Sequence, residues 1–205
     1  MIIVKKTENS EEIEPNPLLV EYYTKMNEVL INPEEGFMKE IDFPYILSNI
    51  EQNIFLFKRL KERNLLRDEN NIVDCGIGLG FCLYDFYLQS KEIDLKFNFF
   101  GIEKYKSYLD CLKSNLIQFW NSELNLINSD ILEQNFSNYN IIYTYGPFRS
   151  EKKQKELMNK ISSEITSGSI IIENANSGKG HFDLLSKIDL LQEVEIDDIY
   201  IYIKK

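Results

Sequence analysis

Alanine, arginine, cysteine and histidine are all scarce in this 205-residue chain: one Ala, four Arg, three Cys and one His. Cys75, Cys82 and Cys111 are an odd number and lack the paired spacing of a metal site. They read as buried thiols in a reducing compartment, and no disulfide framework or metal centre is expected. No apolar stretch approaches the roughly 18 residues that a membrane-spanning helix needs. The opening MIIVKKTENSEE runs straight into charge, so no secretory leader is expected and a cytoplasmic location follows. Positive charge is also in short supply. Lys and Arg total 23 against 33 Asp and Glu, a net charge of −10. A surface of that sign repels phosphate backbones and anionic headgroups, which leads to the expectation of no nucleic-acid and no membrane partner. The oligomeric state has no signature. The shortage of Ala and Arg beside abundant Ile, Asn and Lys reflects base composition and carries no functional meaning.

What is present suffices for a single core: 43% hydrophobic and 13% aromatic residues. Residues 18–31 and about 45–66 carry apolar side chains at helical spacing, and Asn32-Pro33 stops the first of them. From residue 71 the pattern changes. Short apolar runs at 71–76, 96–103, 124–130, 139–145 and 167–174 alternate with longer stretches, two of them with an amphipathic helical period. In one of these helical stretches Tyr105, Tyr108, Leu109, Leu112, Leu116 and Phe119 share a face. Such alternation predicts right-handed βαβ units and a parallel sheet covered on both sides. LQEVEID and DIYIYIKK follow with almost nothing between them, which predicts an antiparallel hairpin. The expected fold is a doubly wound α/β domain over residues 66–205, with a mostly parallel seven-stranded sheet and a C-terminal antiparallel hairpin. Residues 1–65 form an N-terminal helical extension in this reading, and the 33–44 loop joins its helices in capping the cleft.

The chemistry concentrates in IVDCGIGLGF, residues 72–81, between the first strand and a helix. Gly76, Gly78 and Gly80 allow a tight turn and close backbone approach, and the helix start offers free N–H groups. A dinucleotide fingerprint beginning at Gly76 wants its third glycine at position 81, where Phe81 stands. Asp74 lies two residues before the first glycine. A carboxylate there repels a pyrophosphate and suits an ammonium group. Glu103 closes the second strand, where an acid accepts both hydroxyl protons of a ribose. Asp130 ends the third strand, where a carboxylate accepts from an exocyclic amine. Any one of these acids alone would be read as a solvated strand end; three at successive strand ends face one crevice.

On D-C-G-I-G-L-G at 74–80, Glu103, Asp130 and the terminal hairpin, the sequence resembles the class I S-adenosylmethionine-dependent methyltransferases. The resemblance implies a sheet order 3-2-1-4-5-7-6 with one antiparallel strand, and S-adenosyl-L-methionine as cofactor. It assigns the glycine turn and Asp74 to the methionine part, Glu103 to the ribose, and Asp130 with Ile131 to the adenine. It also places Tyr143, Tyr145, Pro147 and Phe148 beside the transferred methyl; Tyr143 reads equally as an aromatic packed on the core, while Tyr145 and Phe148 lie nearer the strand's exit. The run Tyr145-Gly146-Pro147-Phe148 lacks the amide-bearing acceptor of DNA amino-methyltransferases. The expected acceptor is therefore a protein side chain or a small molecule, cationic ones such as an amine being favoured by the acidic surface. No catalytic residue is required by such a transfer; Tyr145 and His181 are the candidates for one, His181 as a general base or as a solvated loop residue. Two other readings stand beside it: a non-catalytic nucleoside-binding module and an NAD-dependent oxidoreductase, the latter opposed by Phe81 and Asp74.

Overall fold

A computed structural model describes residues 16–31, 50–121, 123–148, 150–174, 190–196 and 199–205. The Ile-, Val- and Phe-rich runs form β1 (Asn71–Cys75), β2 (Asn98–Glu103), β3 (Leu124–Asn128), β4 (Ile141–Thr144) and β5 (Ile170–Asn174). The helices between them are α3 (Phe81–Glu92), α4 (Lys106–Asn115) and α5 (Glu151–Glu164). Each return leaves a strand's carboxyl end and re-enters at an amino end, so β1 to β5 all pair in parallel. Then the rhythm breaks. β6 (Leu190–Ile196) and β7 (Ile199–Lys204) are two residues apart and must run antiparallel. β7 inserts between β5 and β6, which gives the order β3-β2-β1-β4-β5-β7-β6 with β7 alone reversed.

Alternation along the strands sends side chains to two cores. Ile72, Ile141, Ile170 and Ile172 face α3, α4 and two preceding helices, α1 (Pro17–Ile31) and α2 (Ile50–Glu62). Val73, Cys75, Ile142 and Ile171 face α5 through Leu157, Met158 and Ile161. The apolar face expected to run on to residue 119 is divided. α4 stops at Asn115 and a short 3-10 turn, Ile117–Trp120, carries the remainder and buries Trp120. α2 ends where Asn64 adopts a left-handed φ of 56°, with Leu65 N–H reaching back to the Leu60 carbonyl. Residues 45–49 of the predicted helix, and the 33–44 loop expected to cap the cleft, lie outside the described residues.

The segment read as an extension contributes to the first core. Leu19, Tyr22 and Met26 of α1 and Leu56, Phe57 and Leu60 of α2 are all buried there with β1. α1 begins with Asn16 as cap, its side-chain oxygen accepting from Leu18 N–H at 2.9 Å, and with Pro17 in the first helical position. The Tyr22 ring stacks on Tyr84 of α3 at 4.1 Å between centroids. Its hydroxyl donates to the Leu79 carbonyl at 2.6 Å and lies 3.4 Å from the Trp120 indole N–H. Tyr22→Phe removes one hydroxyl and leaves a buried carbonyl without its donor. The expected loss is about 1–3 kcal/mol of unfolding free energy with the fold retained, measured by urea denaturation.

Candidate active site

Five residues, Gly76 to Gly80, connect β1 to α3, and three of them are in the left-handed region: Gly76 at φ 96°, Gly78 at 52° and Gly80 at 80°. A Cβ on Gly80 would stand 3.0 Å from the Tyr22 hydroxyl and 3.3 Å from Leu112, so both backbone and space demand glycine there. The turn is also pinned from β2. Gly76 and Ile77 N–H both donate to the Ile102 carbonyl, at 2.9 and 3.0 Å. Ile77 in turn packs down on Gly101 of β2, where any Cβ would collide with its Cδ1.

Glu103 closes this arrangement. One carboxylate oxygen accepts from Gly78 N–H at 3.1 Å and the other from Tyr105 N–H at 3.0 Å. Burial pushes its pKa up, against the pull of those N–H donors. Asp74 differs sharply. It is 5% exposed, and among the described residues no donor reaches its carboxylate. Burial, with Glu103 beside it, pushes Asp74 up to about 8.

The third acid is engaged elsewhere. Asp130 stands two residues beyond β3 and caps the 3-10 turn Ile131–Glu133, accepting from Leu132 N–H at 3.0 Å. Its other oxygen pairs with Lys104 Nζ at 3.0 Å. Burial alone would raise its pKa, but the Leu132 N–H and Lys104 outweigh that and hold it below the usual carboxylate value. Ile131 is buried beneath, in the α5-side core.

The loop after β4 meets the glycine turn directly, since a Cβ on Gly76 would touch Pro147 at 3.6 Å. Tyr145, Pro147 and Phe148 are half-buried there, and Gly146 takes a left-handed φ of 47° that turns the chain back. Lys153 Nζ lies 5.7 Å above the Phe148 ring. Tyr143 does not join them. It pairs with Asp74 in register and sits 3% exposed in the core against Phe86. Burial pushes its phenol well above the ordinary value. His181 lies outside the described residues.

Several polar groups near this edge have no counterpart in the sequence reading. α3 is buried on nearly every side, from Phe81 to Leu88, because the sheet lies on one flank and α1 and α2 on the other. Asp85 is therefore interior, 2% exposed, with one oxygen accepting from Gln89 at 3.1 Å and the other unpaired. Burial pushes it up to about 7. Cys82 lies 3.5 Å from the Asn53 side-chain oxygen, and Asn174 ends β5 with its amide nitrogen unpaired. The available signal was the all-round apolar character of FCLYDFYL, which marks a helix enclosed on every face.

Neither a protein-family model nor a curated protein matches the sequence. Solved structures do match in fold. Precorrin-6y C5,15-methyltransferase from Geobacter metallireducens is 16% identical with a TM-score of 0.60, over 80% of this chain and 94% of that one. A methyltransferase from Geobacter sulfurreducens is 14% identical with a TM-score of 0.60, over 94% and 92%. The 16S rRNA N2 G1207 methyltransferase of Thermus thermophilus, solved with AdoMet and guanosine, is 14% identical with a TM-score of 0.61, over 80% of this chain and 45% of that one. That third structure corrects the expectation of no nucleic acid, because a protein of this fold acts on RNA. Net charge averages over a whole surface and does not describe the rim of a crevice, where Lys104 and Lys153 stand. Among the described residues no helix is long and apolar enough to cross a membrane.

The two raised acids set a pH dependence for the ligand-free protein. Asp74 and Asp85 keep their protons in the folded state over a range where the unfolded chain has lost them. Their stabilising contribution is complete below about pH 4 and is lost as pH rises through about 7 and 8. The melting temperature should therefore fall over that range by more in the parent than in Asp85→Asn, and by least in Asp74→Asn combined with Asp85→Asn, as calorimetric scans at fixed ionic strength would record. With its parallel sheet, reversed β7 and glycine turn after β1, the chain has the class I Rossmann-like methyltransferase fold.

Proposed function

We propose that this protein is an S-adenosylmethionine-dependent methyltransferase. The observation that carries the reading is the pair Asp74 and Glu103 on either side of a left-handed glycine turn, at the carboxyl edge of the central strands. The donor set suits the cofactor. An unpartnered buried carboxylate calls for a cationic group, such as the ammonium of an amino acid, and gives a pyrophosphate nothing to bind. Phe81 is 2% exposed and packed edge-on against Tyr23 where a dinucleotide site needs its third glycine, which speaks against a nicotinamide cofactor.

S-adenosylmethionine, when bound, supplies a methyl group activated on a sulfonium. The rest falls to the chain. Gly76 to Gly80 hold the amino-acid end with Asp74, Glu103 takes the ribose hydroxyls, and Asp130 with Ile131 borders the adenine. Two of Glu103's lone pairs already serve Gly78 and Tyr105, so its remaining pairs face the ribose. Tyr145, Pro147 and Phe148 form the wall against which the acceptor is oriented and water excluded, the main contribution a protein makes to such a transfer. The acceptor is a protein side chain, a small molecule or RNA, and the same three classes define the assay.

S-adenosylhomocysteine should bind with micromolar-range affinity and raise the melting temperature, while NADH should do neither. Clear binding of NADH with none of S-adenosylhomocysteine would overturn the reading. Labelled methyl from S-adenosylmethionine, followed into protein, small-molecule and RNA fractions, should appear in one of them; cofactor binding with no transfer to any fraction would leave a nucleoside-binding module. Glu103→Ala should weaken S-adenosylhomocysteine by about 1.5–3 kcal/mol, and should also destabilise the ligand-free protein because Gly78 and Tyr105 N–H lose their acceptor. An affinity equal to that of the parent would remove Glu103 from the ribose site.

A further inference from the structure

We infer that Asp74 receives the cationic end of the cofactor by proton exchange: neutral in the ligand-free protein, it gives up its proton as the cation arrives. This rests on the reading of the site as one for S-adenosylmethionine. The geometry supplies the reason. Asp74 lies on β1, flanked by β2 and β4, with Gly101 and Tyr143 as its register partners. It is nearly buried, and among the described residues nothing donates to its carboxylate. The groups that face it are Glu103 from β2 and Tyr143 from β4; Cys82 of α3 faces the same Tyr143 hydroxyl, whereas Cys75, next along the strand, points to the opposite face. All are acids, and among the described residues no cation joins them.

Glu103 lies two residues beyond Asp74's register partner Gly101 on the adjacent strand, and two neighbouring carboxylates in a poorly solvated site disfavour a double negative charge. They are not equivalent. Glu103 has two backbone N–H groups that favour its charged form, so the proton settles on Asp74. Burial and the charge of Glu103 act in the same direction on it. A ligand ammonium reverses the balance by supplying both the charge and the N–H donors that Asp74 lacks. On binding, the Asp74 O–H bond breaks, its proton passes to solvent, and the carboxylate accepts from the ammonium. No electrons are transferred, and the count closes at one proton out and one cation in.

Calorimetry of the full chain with S-adenosylhomocysteine, run at pH 7 in phosphate and again in Tris, reads the proton directly. The binding enthalpies should differ by close to the ionisation-enthalpy difference of the buffers, corresponding to nearly one proton released per ligand. Affinity should rise roughly tenfold from pH 6 to pH 7 and level off above about pH 8. Asp74→Asn should bind, more weakly, with no proton released and no such rise; Asp85→Asn, which leaves the turn untouched, should release the proton as the parent does. Equal enthalpies in the two buffers with clear binding overturn the exchange and leave the cofactor reading standing. Proton release that persists in Asp74→Asn overturns it as well. Absence of binding heat in both buffers overturns the cofactor reading and this inference together.

Discussion

The Ile102 carbonyl accepts from both Gly76 and Ile77, and one residue later the Glu103 carboxylate accepts from Gly78. A glycine turn has little side-chain mass with which to hold its own shape, so it takes its shape from neighbours. Here β2 accepts three hydrogen bonds from below through two groups, Gly101 leaves room for Ile77, and Tyr22 of α1 ties off the Leu79 carbonyl from above. Position and conformation at the edge of the sheet follow from these bonds. The helix start, the carboxylate pair and the seat of Pro147 over Gly76 all depend on the turn staying where they put it.

That dependence explains why the acids near the turn have different roles despite similar sequence settings. Glu103 is both wall and anchor, since part of its bonding capacity is spent on the turn itself. Asp130 is largely spoken for by Leu132 and Lys104, and it caps the 3-10 turn that follows it. Only Asp74 is left uncommitted.

The alternation of strand and helix, the glycine turn and the terminal hairpin were all legible in the sequence, because each is local: a period, a spacing, or a link too short to cross over. What was not legible involves partners far apart in the chain. Tyr22 and Leu79 are 57 residues apart, and Lys104 and Asp130 are 26 apart. Asp85 sits in a helix whose all-round apolar sequence marks it as enclosed, but the α1 and α2 that enclose it lie far away in the chain. The charge argument failed for a related reason: −10 is a property of composition, and acceptor choice is a property of one rim. Tyr143 shows the limit at finer grain. It is two residues from Tyr145, and the strand's alternation keeps both on one face, yet one is closed in by the core and the other reaches its edge.

The place of β1 in the middle of the sheet also bears on the order of assembly. Asn71 bonds across to Asn98 on one side, 27 residues away, and to Asn140 on the other, 69 residues away. Closing the longer loop costs about 0.8 kcal/mol more in chain entropy, and the closures are sequential neighbours on the β2 side only. The half of the sheet that carries the glycine turn, Asp74 and Glu103 can therefore form from one contiguous stretch of chain. The half that carries Tyr145 and Phe148 needs the longer closure, so chain entropy favours the β1–β2 edge as the one formed at lower cost.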